Sequence, residues 1–100
     1  VSINASYLES YTERLFTSYV ASKNGFCVKM EKRHWPDRLI VIPGGHCFFI
    51  EFKRKGEVPR KAQTLMHQRL RAINHKVYVC DNYDDAVRVY ENECEKNERI

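Results

Sequence analysis

At 100 residues, with 30% charged and 43% hydrophobic side chains, the chain has room for one domain, residues 1–100, built around one core. No run of about 18 apolar residues is present to cross a membrane, and the opening VSINASYLES lacks the basic start and apolar stretch of a secretory signal, so the expectation is a cytoplasmic protein with reduced thiols and no membrane partner. The formal charge of +4 is unevenly spread: residues 23–76 hold thirteen Lys and Arg against four acids, residues 77–100 three against seven, which suits the middle of the chain to a phosphate polymer.

Ser6 followed by Glu9 fits a capping box, and Leu8, Tyr11, Leu15, Phe16, Tyr19 and Val20 recur at helical spacing. They predict a first helix over about 7–22, stopping before Gly25. A short strand over 26–30 follows, then a polar connection through Lys32, Arg33, His34 and Trp35 to Pro36. Residues 38–42 and 46–53 are rich in β-branched and aromatic side chains and are joined by Pro43-Gly44-Gly45, which predicts a hairpin. Its two faces, Leu39, Val41 and Phe49 on one and Ile40, Phe48 and Ile50 on the other, are both apolar, as in central strands covered by helices on both sides. Pro59 opens a second helix whose expected apolar face is Ala62, Leu65, Met66, Leu70 and Ile73. A strand over 76–80 and a third helix after Asn82, with Ala86, Val87 and Tyr90 inward, complete an α-β-β-β-α-β-α order; residues 93–100 lack a periodic apolar face and are expected to fray. Cys27, Cys47, Cys80 and Cys94 contain no C-x-x-C pair, so each is expected as a small packed hydrophobe. A zinc site drawn from Cys27, His34, His46 or His75 has no ligand-like spacing, and the histidines, His67 included, are expected at the surface or at caps.

The chemistry sits at the mouth of the hairpin. A two-residue Gly44-Gly45 turn would place Asp37 opposite Phe52, with Asp37 and Glu51 on opposite faces. A three-residue loop, with Pro43 and Gly44 in a type I turn and Gly45 in a left-handed bulge position, instead sets Asp37 opposite Glu51 with Lys53 on the same face. Proline suits the first of those positions and glycine the last, which favours the second register. Two carboxylates and an ammonium there are a minimal set for holding a hard divalent cation beside a phosphodiester: Asp37, Glu51 and the backbone carbonyl of Phe52 as metal ligands, Lys53 to orient water or balance phosphate charge. Taken alone the pattern is also what a charge-rich chain produces without function, since Asp before a strand is an ordinary turn residue.

The surrounding residues extend the pattern. PDRLIVIPGGHCFFIEFKR, then Gly56 and Gln63, together with Glu13, Phe16, Val20, Gly25 and Lys29 upstream, form an ordered set. Over about residues 13–86 this set resembles the virus-type replication-repair nuclease domain (VRR-Nuc), a branch of the PD-(D/E)XK nuclease superfamily. The resemblance implies a restriction-endonuclease-like αβββαβα core with a central mixed sheet, and a Mg2+- or Mn2+-dependent, structure-selective endonuclease. Asp37, Glu51 and Lys53 would be its catalytic core, with Glu13 and Gln63 as helix-borne supports. Compact stand-alone members are associated with phages, with homodimers and with four-way (Holliday) junctions, so branched DNA and a second copy are the implied partners, in a bacterial or phage-infected cell. The family commonly has glycine where this chain has His34.

Lys29, Lys32, Arg33, Arg38, Arg54, Lys55, Arg60 and Lys61 would form a phosphate-contacting rim, and Trp35 either stacks on an unpaired base or covers the edge of the core. The aromatic residues Tyr7, Tyr11 and Tyr19 make the first helix the candidate dimer element, although packing in the core explains them nearly as well. Two alternatives stand beside the junction nuclease: a nucleic-acid-binding module without catalysis, in which the carboxylates are structural, and a nuclease of the same fold acting on flaps or linear duplex.

Overall fold

The computed structural model describes the backbone of residues 5–98 and the side chains of residues 9–97. Its elements are α1 (Ala5–Ser22), β1 (Phe26–Lys29), β2 (Arg38–Ile42), β3 (His46–Phe52), α2 (Lys61–Ala72), β4 (Val77–Cys80) and α3 (Tyr83–Glu98). The strands form one mixed sheet in the order β1-β2-β3-β4, antiparallel except for the β3–β4 pair, which is parallel. This is the expected αβββαβα arrangement.

Alternation along β3 divides the interior. Phe48, Ile50 and Phe52 face α1 and α3, where they join Phe16, Val20, Ile40, Ala86 and Tyr90 in the larger core. Phe49 points the other way, toward Leu70 of α2 and Val77 of β4, with Met30, Trp35, Leu39 and Met66 packed around them. Helices therefore cover both faces, and the second face of β3 runs from Phe49 straight on to Glu51. Trp35 belongs to this smaller core, its ring edge-on to Phe49 at 5.9 Å, so it covers the sheet.

Helix ends set the spacing between layers. At the end of α1, Asn24 takes the left-handed conformation (φ 65°) while Gly25 N donates to Val20 O and Asn24 N to Ala21 O. α2 ends in the same way, with Asn74 at φ 71° and His75 N bonded to Leu70 O. Both are Schellman closures that use asparagine rather than glycine. Gly25 is needed for a different reason: a Cβ there would lie 2.8 Å from Val41 O.

The hairpin has the three-residue register. Ile42 pairs with His46, Ile40 with Phe48 and Arg38 with Ile50, and one step beyond that last pair the same register sets Asp37 level with Glu51. The turn differs from the expected type I, because Gly44 has φ 97° and Gly45 φ 84°. A positive φ at the residue after proline is the type II geometry, which glycine adopts without penalty.

Four local expectations are corrected. Helix α1 starts at Ala5 and includes Ser6, so Ser6 does not occupy the cap position; its side chain and that of Tyr7 lie outside the described ones. Tyr19 is not a free surface aromatic, for its ring packs on Phe16, Tyr83 and Tyr90. Cys47, close to the hairpin loop, is exposed, although Cys80 is buried, and no disulfide joins the four described cysteines. Helix α3 continues to Glu98 instead of fraying from residue 93, because Glu93 is buried and hydrogen-bonded; residues 99–100 lie outside the described chain.

Candidate active site

Strand geometry brings the first three residues together. Met30 N donates to Asp37 O at 2.8 Å, closing the loop between β1 and β2, and the buried Pro36 precedes Asp37. Beyond Arg38 the β2–β3 pairing has ended, which leaves the buried N–H of Phe52 in need of an acceptor. Asp37 Oδ2 accepts it at 2.7 Å. One carboxylate oxygen is thus fixed to the backbone of β3, directly beside Glu51, while the Phe52 ring is buried in the larger core.

Glu51 is 1% exposed. Its Oε2 lies 3.4 Å from Lys53 Nζ and accepts a hydrogen bond from Gln63 Nε2 at 3.2 Å. Gln63 Oε1 in turn accepts from Lys53 Nζ at 3.1 Å and from the backbone N–H of Arg60 at 2.9 Å. Both ends of this amide are committed, so Gln63 ties the start of α2 to the acid and the ammonium together.

α2 therefore turns a different face inward from the one its apolar residues suggest. Leu65 and Ile73 are 51% and 66% exposed, and the buried residues of the helix are His67 and Leu70. Gln63, Met66, His67 and Leu70 form the inward stripe at i, i+3, i+4 and i+7. The helix is polar at the end that meets the carboxylates and apolar at the end that meets Phe49. His67, expected at the surface, is 1% exposed and places Nε2 3.6 Å from Glu51 Oε1. Burial, with Arg71 and Lys53 nearby, lowers its pKa.

Electrostatically the pair of acids is under pressure. Burial, and then the neighbouring Asp37, push Glu51 up to about 7, with Lys53 only partly offsetting them. Asp37 is also raised by burial, against the pull of the Phe52 N–H. Two carboxylates this close in a dry setting resist carrying full charge together. Among the described residues no three His, Cys, Asp or Glu side chains converge as a metal-ligand cluster, so the protein offers two carboxylates and its backbone.

The outer residues divide into two groups. Glu13 Oε1 accepts from Arg38 Nε at 2.7 Å, and Arg38 also reaches Cys27 O, so this acid and this base are engaged with each other at the rim of the site. Lys29, Lys32, Arg33, Lys55, Arg60 and Lys61 are exposed, and Arg54 is paired with Glu57. Glu9 went unremarked as a site residue in the sequence, yet its pKa is raised by burial and by Asp37. It lines an open cleft of about 340 Å³ with Thr12, Lys53, Arg54, Asp81 and Tyr83. The available signal was its position one helical turn before Glu13. His34 has φ 69°, a left-handed conformation that accounts for glycine being common at this position in the resembled family.

No family model matches the chain. A protein described as "Putative nuclease p44", from Acyrthosiphon pisum secondary endosymbiont phage 1, is 37% identical over 79 residues, covering 76% of this chain and 85% of the phage protein. A solved structure described as "VRR_NUC domain" superposes with a TM-score of 0.77 over 84% of this chain and 95% of its own, at 22% identity. The chain belongs to the family of that phage protein and has the VRR-Nuc fold. That solved domain, at such low identity, establishes the shared fold; the kinship in sequence rests on the phage protein. The chain has an α/β fold, and none of its described helices is long and apolar enough to cross a membrane.

Proposed function

We propose that this VRR-Nuc protein is a Mg2+- or Mn2+-dependent endodeoxyribonuclease that cuts branched DNA, four-way junctions in particular, as a homodimer in the cytoplasm of a bacterial or phage-infected cell. The observation that carries the reading is the half-buried Asp37, bonded to the N–H of Phe52, beside the buried Glu51, which burial and Asp37 push up to about 7. A hard cation fits this donor set, since its charge would offset the repulsion and burial that raise both acids. Asp37, Glu51 and the carbonyl of Phe52 would hold it, and when bound it supplies positive charge to the phosphate oxygens and acidifies water for attack.

The remaining residues prepare the site. Lys53, held by Gln63 and Glu51, presents an ammonium that orients the attacking water or balances charge on the scissile phosphate. Gln63 positions that lysine and the acid at once. Glu13 acts from outside by fixing Arg38, and Glu9 adds a carboxylate to the wall. The exposed lysines and arginines around the mouth bind phosphates away from the cut. One chain carries one such site, so paired incisions call for two copies. Tyr11 and Leu15 of α1 and Phe26 and Val28 of the edge strand β1 remain exposed and are the surface we assign to that contact.

Incubation of the purified protein with labelled four-way junction, splayed arm and linear duplex, with Mg2+, Mn2+ or chelator, tests the proposal. Junction cleavage that needs the metal and falls by at least about 10³-fold in Asp37→Ala and Glu51→Ala is expected. Cleavage of linear duplex at the same rate overturns the junction assignment. Binding without cleavage under every condition makes the protein a DNA-binding module.

A further inference from the structure

One buried polar side chain beside the site has no task in the proposed reaction. His67 lies one helical turn beyond Gln63, and its Nε2 and Glu51 Oε1 are the buried side-chain polar atoms that lack a hydrogen-bond partner among the described residues. They face each other at 3.6 Å. A buried polar group left unpaired costs about 1–3 kcal/mol. Leucine or methionine would fill this position on the stripe of Met66 and Leu70 without leaving a buried ring N–H to satisfy. The two unpaired atoms are complementary, an imidazole N–H donor and a carboxylate acceptor. Shortening their separation by about half an ångström gives a hydrogen bond of ordinary length.

The other oxygen of Glu51 is already gripped by Gln63 and Lys53. With Oε1 unheld, the carboxylate plane keeps a rotation that a metal ligand must give up on binding. We propose that His67 is a positioning residue for Glu51: its Nε2–H donates to Oε1 and sets the carboxylate plane toward Asp37 before the cation arrives. α2 then orients the acid from both sides, through Gln63 on one oxygen and His67 on the other. The inference rests on the cation-binding reading of Asp37 and Glu51. Partners of this kind are worth about ten- to hundredfold in metal affinity.

Calorimetric titration of the DNA-free, full-length chain with Mn2+ at pH 8 tests it, comparing wild type, His67→Leu and His67→Gln, with His67→Met in place of leucine if the branched side chain does not fold. His67→Leu is expected to bind Mn2+ about ten- to hundredfold more weakly. His67→Gln, whose amide carries an N–H close to the position of Nε2, is expected to stay within about threefold of wild type. Metal-free thermal melts confirm that each variant tested is folded. Wild-type affinity in the leucine or methionine variant overturns the proposal, and so does a glutamine variant as weak as the apolar one, which would make volume rather than the donor the cause. Failure of the wild type itself to bind Mn2+ removes the cation reading first, a distinct result.

Discussion

Two glutamates on the two faces of one sheet are equally buried and behave in opposite ways. Glu51 and Glu93 are each 1% exposed. Burial pushes both upward, but Glu93 accepts from Tyr78 Oη at 2.6 Å, His46 Nε2 at 2.9 Å and Lys96 Nζ at 3.3 Å, and these bonds hold it below the ordinary carboxylate range. Glu51 has a second carboxylate beside it and one oxygen without a partner, and rises to about 7. Burial alone therefore does not mark a functional acid. What separates the two is whether the fold supplies enough donors: Glu93 is a finished tie between β3, β4 and α3, whereas Glu51 keeps one oxygen unbonded beside a second carboxylate.

The largest expected effect on stability is at the finished site. Glu93→Ala takes the acceptor from the half-buried Tyr78 and His46 and from Lys96, and is expected to lower unfolding free energy by about 3–5 kcal/mol, read by urea denaturation, with cleavage per folded molecule unchanged. A loss below about 1 kcal/mol would make Glu93 an incidental contact and remove the contrast.

Glu51→Gln sharpens the contrast in the other direction. A carboxyl group raised from about 4.5 to about 7 on folding stabilises most where both states hold the proton, below about pH 4.5, and that contribution is lost as pH rises through about 7. Metal-free wild type is thus expected to lose up to about 3 kcal/mol relative to Glu51→Gln between pH 4.5 and pH 8. Asp37, raised for the same first reason, adds in the same direction. Denaturation curves of the two proteins across that range check it, and parallel curves would show that Glu51 is not held in its uncharged form.

Much of the site was legible because a sheet has a period of two. Counting three residues, Pro43, Gly44 and Gly45, set the ladder and put Asp37 opposite Glu51, whereas one residue fewer would have turned them apart. What escaped was burial of polar residues. Counting apolar residues on α2 selected Leu65 and Ile73, yet the helix meets the sheet through Gln63 and His67, whose partners are carboxylates. The end of α3 was misjudged for the same reason: Glu93 continues the inward stripe of Ala86 and Tyr90, but a glutamate there has no apolar signal. His34 showed the reverse case, a departure from the family's glycine whose meaning became plain only with a φ of 69°.

The central claim is that the unfinished acid, and not the finished one, takes the cation. Mn2+ titration at pH 8 of wild type, Glu51→Gln and Glu93→Gln, each first shown to be folded, tests it most directly. Wild type and Glu93→Gln are expected to bind with similar affinity, and Glu51→Gln at least about a hundredfold more weakly. Binding by Glu51→Gln as tight as by wild type would contradict the account.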